Sequence, residues 1–201
     1  MNLKSEKRER SHEDILSSAA RLLREKGVSG ARVADVMAGA GLTVGGFYAH
    51  FASKEALIDE ALRRTATELR QSLFARLADK PADARAEIVL KRYLSARHRD
   101  EPIHGCPFPS ITGEIATSHG EHRAVLGEQI QALVRELEPL MPARGSAARS
   151  LAVGLAALMY GGLSMARALG TTELSDEVLR ACRSLGRLAL SAAASHERGT
   201  E

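Results

Sequence analysis

Residues 41–57 read "GLTVGGFYAHFASKEAL", and the class of fold turns on them. The chain has 201 residues and only seven Phe or Tyr, yet Phe47, Tyr48 and Phe51 fall within five positions. Phe47 and Phe51 are four apart, so they share one face of a helix predicted over 43–51. Thr43 suits the N-cap, where a hydroxyl accepts from the helix's free N–H groups. So short a helix is not stable alone, and the two rings must pin it to neighbouring helices. Tyr48 and His50 leave by other faces. Ser53 then caps a new, long helix with Glu55 and Glu60 near its start and Leu57, Ile58, Ala61, Leu62 and Leu69 on its apolar side.

Upstream, Ile15, Leu16, Ala19, Ala20, Leu22 and Leu23 recur at helical spacing after Ser11. Glu13 and Asp14 would occupy the first turn, where acidic groups suit the positive helix end, and Gly27 would stop the helix as a C-cap glycine does. A second short helix is predicted over 32–38, with Val33, Val36 and Met37 inward, followed by the turn "GAG" at 39–41. A short helix, a glycine turn and another short helix make a helix-turn-helix unit, although an ordinary helical corner has the same spacing. In the DNA-binding version the second helix enters the major groove by its N-terminal end, here Thr43, Val44, Gly45 and Gly46. Val44 could meet thymine methyls. Each glycine weakens a helix by about 1 kcal/mol relative to alanine. Close backbone approach to a partner would justify that, as would a helix that tightens only when bound. Lys54 stands at a helix N-terminus, a natural anion site.

Charge agrees with a polyanionic partner. The net charge is +3, and residues 1–54 hold nine Lys or Arg against six Asp or Glu, so the whole excess lies in the N-terminal quarter. A solvated basic tail at Lys4, Lys7, Arg8 and Arg10 accounts for the same count. The first residues are charged and lack the apolar core of a signal peptide. Strand signals are nearly missing, Ala and Leu are abundant, and both favour helix. Breaks at Lys80-Pro81, 102–109, 118–120, 142–145 and 170–172 leave further helices at about 83–98, 109–117, 121–140, 147–169 and 175–195. The fold class is all-α, with about nine helices.

Residues 15–62 closely resemble the N-terminal domain of the TetR family of bacterial transcriptional regulators. The matching marks are Ala20, Leu23, Gly27, Val33-Ala34-Asp35-Val36, Ala40-Gly41-Leu42, Gly46-Phe47-Tyr48, Phe51 and Ser53-Lys54-Glu55-Ala56-Leu57. The resemblance implies a homodimer that binds a palindromic double-stranded DNA operator and releases it when a small-molecule effector enters the C-terminal domain. Residues 10–54 would form the three-helix DNA-binding domain, and 55–195 the helical ligand-binding and dimerisation domain. Carried over, Thr43, Tyr48, His50 and Lys54 would touch phosphates or nearby bases, while Val44 and Gly45 face base edges. Ala31 stands where the family often has Thr or Ser, so Arg32 would take over that phosphate contact. Gly45 stands where many members have a longer, often basic, side chain, which shifts specificity towards Val44 or DNA shape.

The C-terminal half carries no comparable motif. "SLAVGLAALMYGGLSMA" (150–166) holds seventeen residues without a charge, a little short of the roughly twenty a membrane span needs. It reads as a helix buried on every side, in a core or an interface, and no membrane partner is expected. Small residues Gly154, Ala157, Gly161 and Ala168 in 147–169, packed with 175–195, suit a two-fold four-helix interface. "HGCPFPSITGEIA" (104–116) puts Cys106 before a helix start, where a thiol pKa falls. That passage also resembles the Gly-Cys-Pro stretch of one TetR subgroup, some of whose relatives answer reactive electrophiles. Cys106 is therefore a candidate sensor with His104, or a small buried hydrophobe; Cys182, among Leu179, Leu185 and Leu188, is expected in the core. Phe108, Ile111, Ile115 and Tyr160 are candidate lining for an apolar effector, or plain core. His98, His104, Cys106, His119 and His122 cluster in sequence without metal-ligand spacing, so no metal or cofactor is expected. No nucleophile elbow or phosphate-binding glycine loop points to catalysis. The remaining alternatives are a helical enzyme using Cys106 and an adaptor that binds only protein. A cytoplasmic location follows from the regulator reading.

Overall fold

The computed structural model describes residues 3–199, with side chains at 5–103 and 105–197. Among the described residues there are nine α-helices, five short 3-10 helices and no strand. The α-helices are α1 (Leu3–Gly30), α2 (Val33–Gly39), α3 (Lys54–Phe74), α4 (Arg85–Tyr93), α5 (Ala96–Asp100), α6 (Phe108–Thr117), α7 (Arg123–Leu137), α8 (Gly145–Leu169) and α9 (Glu173–Gly199). The total equals the expected nine, but the members differ. The expected helix at 43–51 is a 3-10 helix, Val44–Ala49. The expected helix at 83–98 is two, because Leu94 (ψ 60) and extended Ser95 interrupt it and the Ser95 hydroxyl accepts from His98 N to start α5.

α1 starts at Leu3, so Ser11 is no cap and Glu13 and Asp14 lie mid-helix. The run read as a basic tail is an exposed helical segment, tied internally by Ser5 Oγ donating to Glu9 at 3.1 Å. Its far end is broken where glycine was expected to stop it. Gly27 adopts φ 72, the left-handed region, and one further turn follows to Gly30. A Cβ there would lie 2.5 Å from Glu114 Oε1 and 2.9 Å from the Ser110 carbonyl, so glycine is required on two counts. The Glu114 carboxylate, from α6, accepts from Val28 N at 2.7 Å and Ser29 N at 3.0 Å. A charged acceptor on two backbone donors is worth more than a neutral one. Glu114→Gln should lower the unfolding free energy by about 1–2 kcal/mol, read as a shifted urea midpoint at constant slope. An unmoved midpoint would show that the carboxylate does not hold this turn.

The chain divides into two compact units, residues 1–68 with 106–127, and residues 69–105 with 128–201. The expected boundary at Lys54–Glu55 falls in the first turn of α3, and α6 packs against α1 inside the first unit. That unit's core is built from Ile15, Leu23, Met37, Phe47, Leu57, Ile58 and Leu62, each almost fully buried. Arg24, itself buried, reaches Glu68 at 2.6 Å, and Glu68 also pairs with Arg64 at 2.9 Å, tying α1 to α3.

In the second unit α8 and α9 pack along each other, with α4 and α5 against them. Within the chain the close approach runs through Gly162 and Gly186. A Cβ at Gly162 would meet Cys182 Sγ at 2.8 Å, and one at Gly186 would meet Leu90 at 2.6 Å, whereas Gly154 and Gly161 face open space. Burial pushes the Cys182 thiol pKa up. Cys182, expected in the core, is only half-buried: of its helix neighbours, Leu179 is covered while Leu185 and Leu188 are exposed. α8 has the length and hydropathy of a membrane span, yet only 39% of its most apolar stretch is buried within the chain. Expected enclosure on every side is thus absent from the single chain, with Val153 and Met165 exposed.

Candidate nucleic-acid interface

Phe47 and Phe51 do the anchoring that their spacing predicts. They are 1% and 4% exposed, with ring centroids 5.9 Å apart and nearly parallel. His12 of α1 continues the stack, its ring 4.5 Å from Phe51, and its Nε2 lies 2.9 Å from Glu60 of α3. The 3-10 helix above this stack is too short and glycine-rich to hold an α-helix unaided, the physical reason it winds as it does. Thr43 takes the cap position in extended conformation, but its side chain makes no cap hydrogen bond. Its hydroxyl is thereby not committed to the expected role. Tyr48 stands edge-on to Phe47 at 5.2 Å and is 78% exposed; Val44 is 51% exposed. Gly45 is exposed, with nothing within 4 Å of a Cβ built there.

The flanking candidates occupy helix ends. Arg32 is the exposed N-cap residue of α2 with extended backbone, beside fully buried Ala31. Lys54, half-buried, opens α3, where Ser53 Oγ accepts from Ala56 N at 3.1 Å as expected. The Glu55 carboxyl is held below its usual range by its own backbone N–H and by Ser53. His50 is half-buried; burial first, then His12 and Arg8, lower its pKa, and its Nδ1 is enclosed without a hydrogen-bond partner. Arg32, Thr43, Val44, Gly45, Tyr48, His50 and Lys54 all belong to the first compact unit.

Two contributors, Arg8 and the His12 ring stacked on Phe51, escaped the sequence reading. Arg8 donates from Nη2 to the Ala49 carbonyl at 2.9 Å, fastening the start of α1 to the end of the 3-10 helix. With Ser5, Glu9, His12, Glu13 and His50 it lines a cavity of about 500 Å³. The helix-forming run "KSEKRERSHED" was the available signal, since it contains no residue that breaks a helix.

The family model for bacterial regulatory proteins of the tetR type matches residues 15–61, the span that holds the stacked rings and the helix-turn-helix. Over that span the chain is similar to the tetR family of bacterial regulatory proteins. Members of this TetR group are regulatory proteins, not enzymes. Similarity to the HTH-type transcriptional repressor KstR2 of Mycobacterium tuberculosis is 44% identity over 50 residues. That match spans a quarter of this chain and a quarter of the relative. The fold is shared more widely. A TetR-family regulator from Cytophaga hutchinsonii superposes with TM-score 0.74 at 24% identity, over 90% of this chain and 95% of that one. The reduced form of E. coli NemR gives 0.71 at 19% identity, over 87% and 95%.

Outside the TetR-type segment, the effector candidates do not share one unit. Cys106, Phe108, Ile111 and Ile115 lie in the first, all buried, with Cys106 and Ile111 fully so. Tyr160 is half-buried in the second. The His104 side chain lies outside the described residues. Among the described residues no three His, Cys, Asp or Glu side chains are grouped for a metal ion. His122 is instead buried against Asp59, Nδ1 to Oδ1 2.7 Å, and His119 meets Ser29 Oγ at 3.0 Å. His98 donates from Nδ1 to the Tyr93 carbonyl at 2.7 Å.

Proposed function

We propose that this protein is a ligand-responsive DNA-binding transcriptional regulator, a cytoplasmic repressor that binds a palindromic operator as a homodimer. The observation that carries the reading is the exposed 3-10 helix, with Val44 and Tyr48 outward over a buried Phe47–Phe51 anchor. An uncommitted Thr43 hydroxyl, an exposed Arg32 and Lys54 at a helix N-terminus support contacts to phosphates. Val44 and Gly45 then face base edges. A repressor among the relatives supports repression.

Dimerisation through 147–169 and 175–195 is supported by the outward Val153, Met165, Leu185 and Leu188. An operator of two half-sites calls for such a two-fold partner. A small molecule or an electrophile would favour a dimer state that no longer fits the operator. Reaction at Cys106 would require its segment to open first, because the thiol is fully buried.

The experiment is a selection of bound genomic fragments, followed by titration of the recovered duplex at two salt concentrations. Tyr48→Ala should weaken binding about tenfold without changing stability, since the ring is exposed. Lys54→Ala should weaken all sequences alike and reduce the salt slope by about 1. A folded dimer that enriches no fragment would sink the reading.

A further inference from the structure

We propose that the cavity beside the C-terminal end of α3 binds a small amphipathic anion, an aliphatic carboxylate or phosphate ester, and that such a molecule is the effector. The second half of that statement rests on the regulator reading above; the site itself does not. The cavity holds about 550 Å³ and lies wholly within the second unit, inside the size range of small-molecule sites. Leu69, Leu73 and Ala75 give it an apolar wall, and Arg76, Arg92 and Arg97 face them against one carboxylate, Glu101. No aromatic ring other than the His98 imidazole lines it, so an aliphatic tail fits better than a planar one.

The three guanidinium groups are in different states, and the difference points to a ligand. Arg92 is pre-set: its Nη1 donates to the Leu73 carbonyl at 2.6 Å and the Ala75 carbonyl at 2.9 Å. Held by one nitrogen, the half-buried group keeps its other donors for an oxyanion, at little entropic cost. Arg76 is the one non-glycine described residue with positive φ, 55°. Its exposed side chain lines the cavity, with no hydrogen bond or ion pair to it among the described residues. A residue held in that sparsely populated region is the kind that clusters at ligand clamps. Arg97, 81% exposed, pairs among the described residues only with Glu101, at 3.1 Å. Such an exposed pair is weak and opens readily to a competing anion. The planar fork of arginine matches the paired oxygens of carboxylate and phosphate.

Calorimetry on the full chain with three probes of equal tail, decanoate, decyl phosphate and decanol, tests the site. One anionic probe per chain should bind about tenfold or more tighter than decanol. Either anion alone, or both, supports the proposal and identifies the head group. Arg76→Ala should weaken the anion about fivefold or more while leaving the ligand-free Tm unchanged. Arg92→Lys, which keeps the charge and loses the fork, should also weaken it. Equal affinity for decanol, or anion binding indifferent to both substitutions, overturns the site. No probe binding while the operator is still bound overturns the site and spares the regulator. Saturating the site without releasing the operator overturns only the effector role.

Discussion

Replacing Phe47 with alanine lowers the stability of the N-terminal unit by about 3–5 kcal/mol, the range for deleting a buried ring from a packed core. The ring is 1% exposed and contacts two aromatic neighbours, Phe51 and Tyr48, so its removal leaves a void lined by groups that cannot collapse together. Two adjacent glycines beside it offer no side chain to refill the space. The 3-10 helix has no cap hydrogen bond from Thr43 and is too short to persist alone. It should therefore loosen before the rest of the unit unfolds. Urea unfolding followed by circular dichroism gives the stability change. Operator titration at low urea should find binding abolished even where the chain is still folded. Phe47→Leu, which keeps most of the apolar volume, should cost roughly half as much. A loss below about 1 kcal/mol for the alanine variant would mean that the rings are not the anchor.

Acidification from pH 7 to 4 should remove about 3 kcal/mol through His98 alone. Burial pushes its pKa down from 6.5 to about 4, with the Arg167 charge acting in the same direction and the Tyr93 hydrogen bond opposing both. The unfolded chain binds the proton near pH 6.5 and the folded chain resists it until about pH 4. Stability is then full above the unfolded value and declines as pH falls through this window. The fall from 6.5 to about 4, at about 1.36 kcal/mol for each tenfold change in proton affinity, sets the magnitude. Glu55, Glu68, Asp100 and Glu121 also have lowered pKa values and add their losses at the acid end. A comparison with His98→Gln separates them. That variant should be less stable at pH 7, having lost the imidazole's fit, but its stability should change by about 3 kcal/mol less between pH 7 and 4. Parallel pH profiles for the two proteins would remove His98 from the account.

Sequence alone determined the all-helical class, the Phe47–Phe51 anchor, the Ser53 cap and the break at Gly27. These depend on residues within a few positions of one another, where spacing and backbone preference settle the outcome. The resemblance of residues 15–61 to the tetR family rests on the same local marks. Tertiary structure alone decided what depends on distant partners. Glu114 caps backbone 86 residues away, Arg8 fastens a carbonyl 41 residues on, and α6 joins the first unit instead of following its neighbours in the chain. Which helix faces are open is equally non-local. Leu179 and Leu185 lie on one helix with similar chemistry, yet one is 2% and the other 57% exposed, because α9 is covered by neighbours on one side only. The arginine-lined cavity belongs here too. Its cations come from just past the end of α3 and from the region of α4 and α5, and Arg92 helps join the two by donating to carbonyls 19 and 17 residues back. A periodic pattern records which residues are apolar; only the packing of helices decides which of them meet.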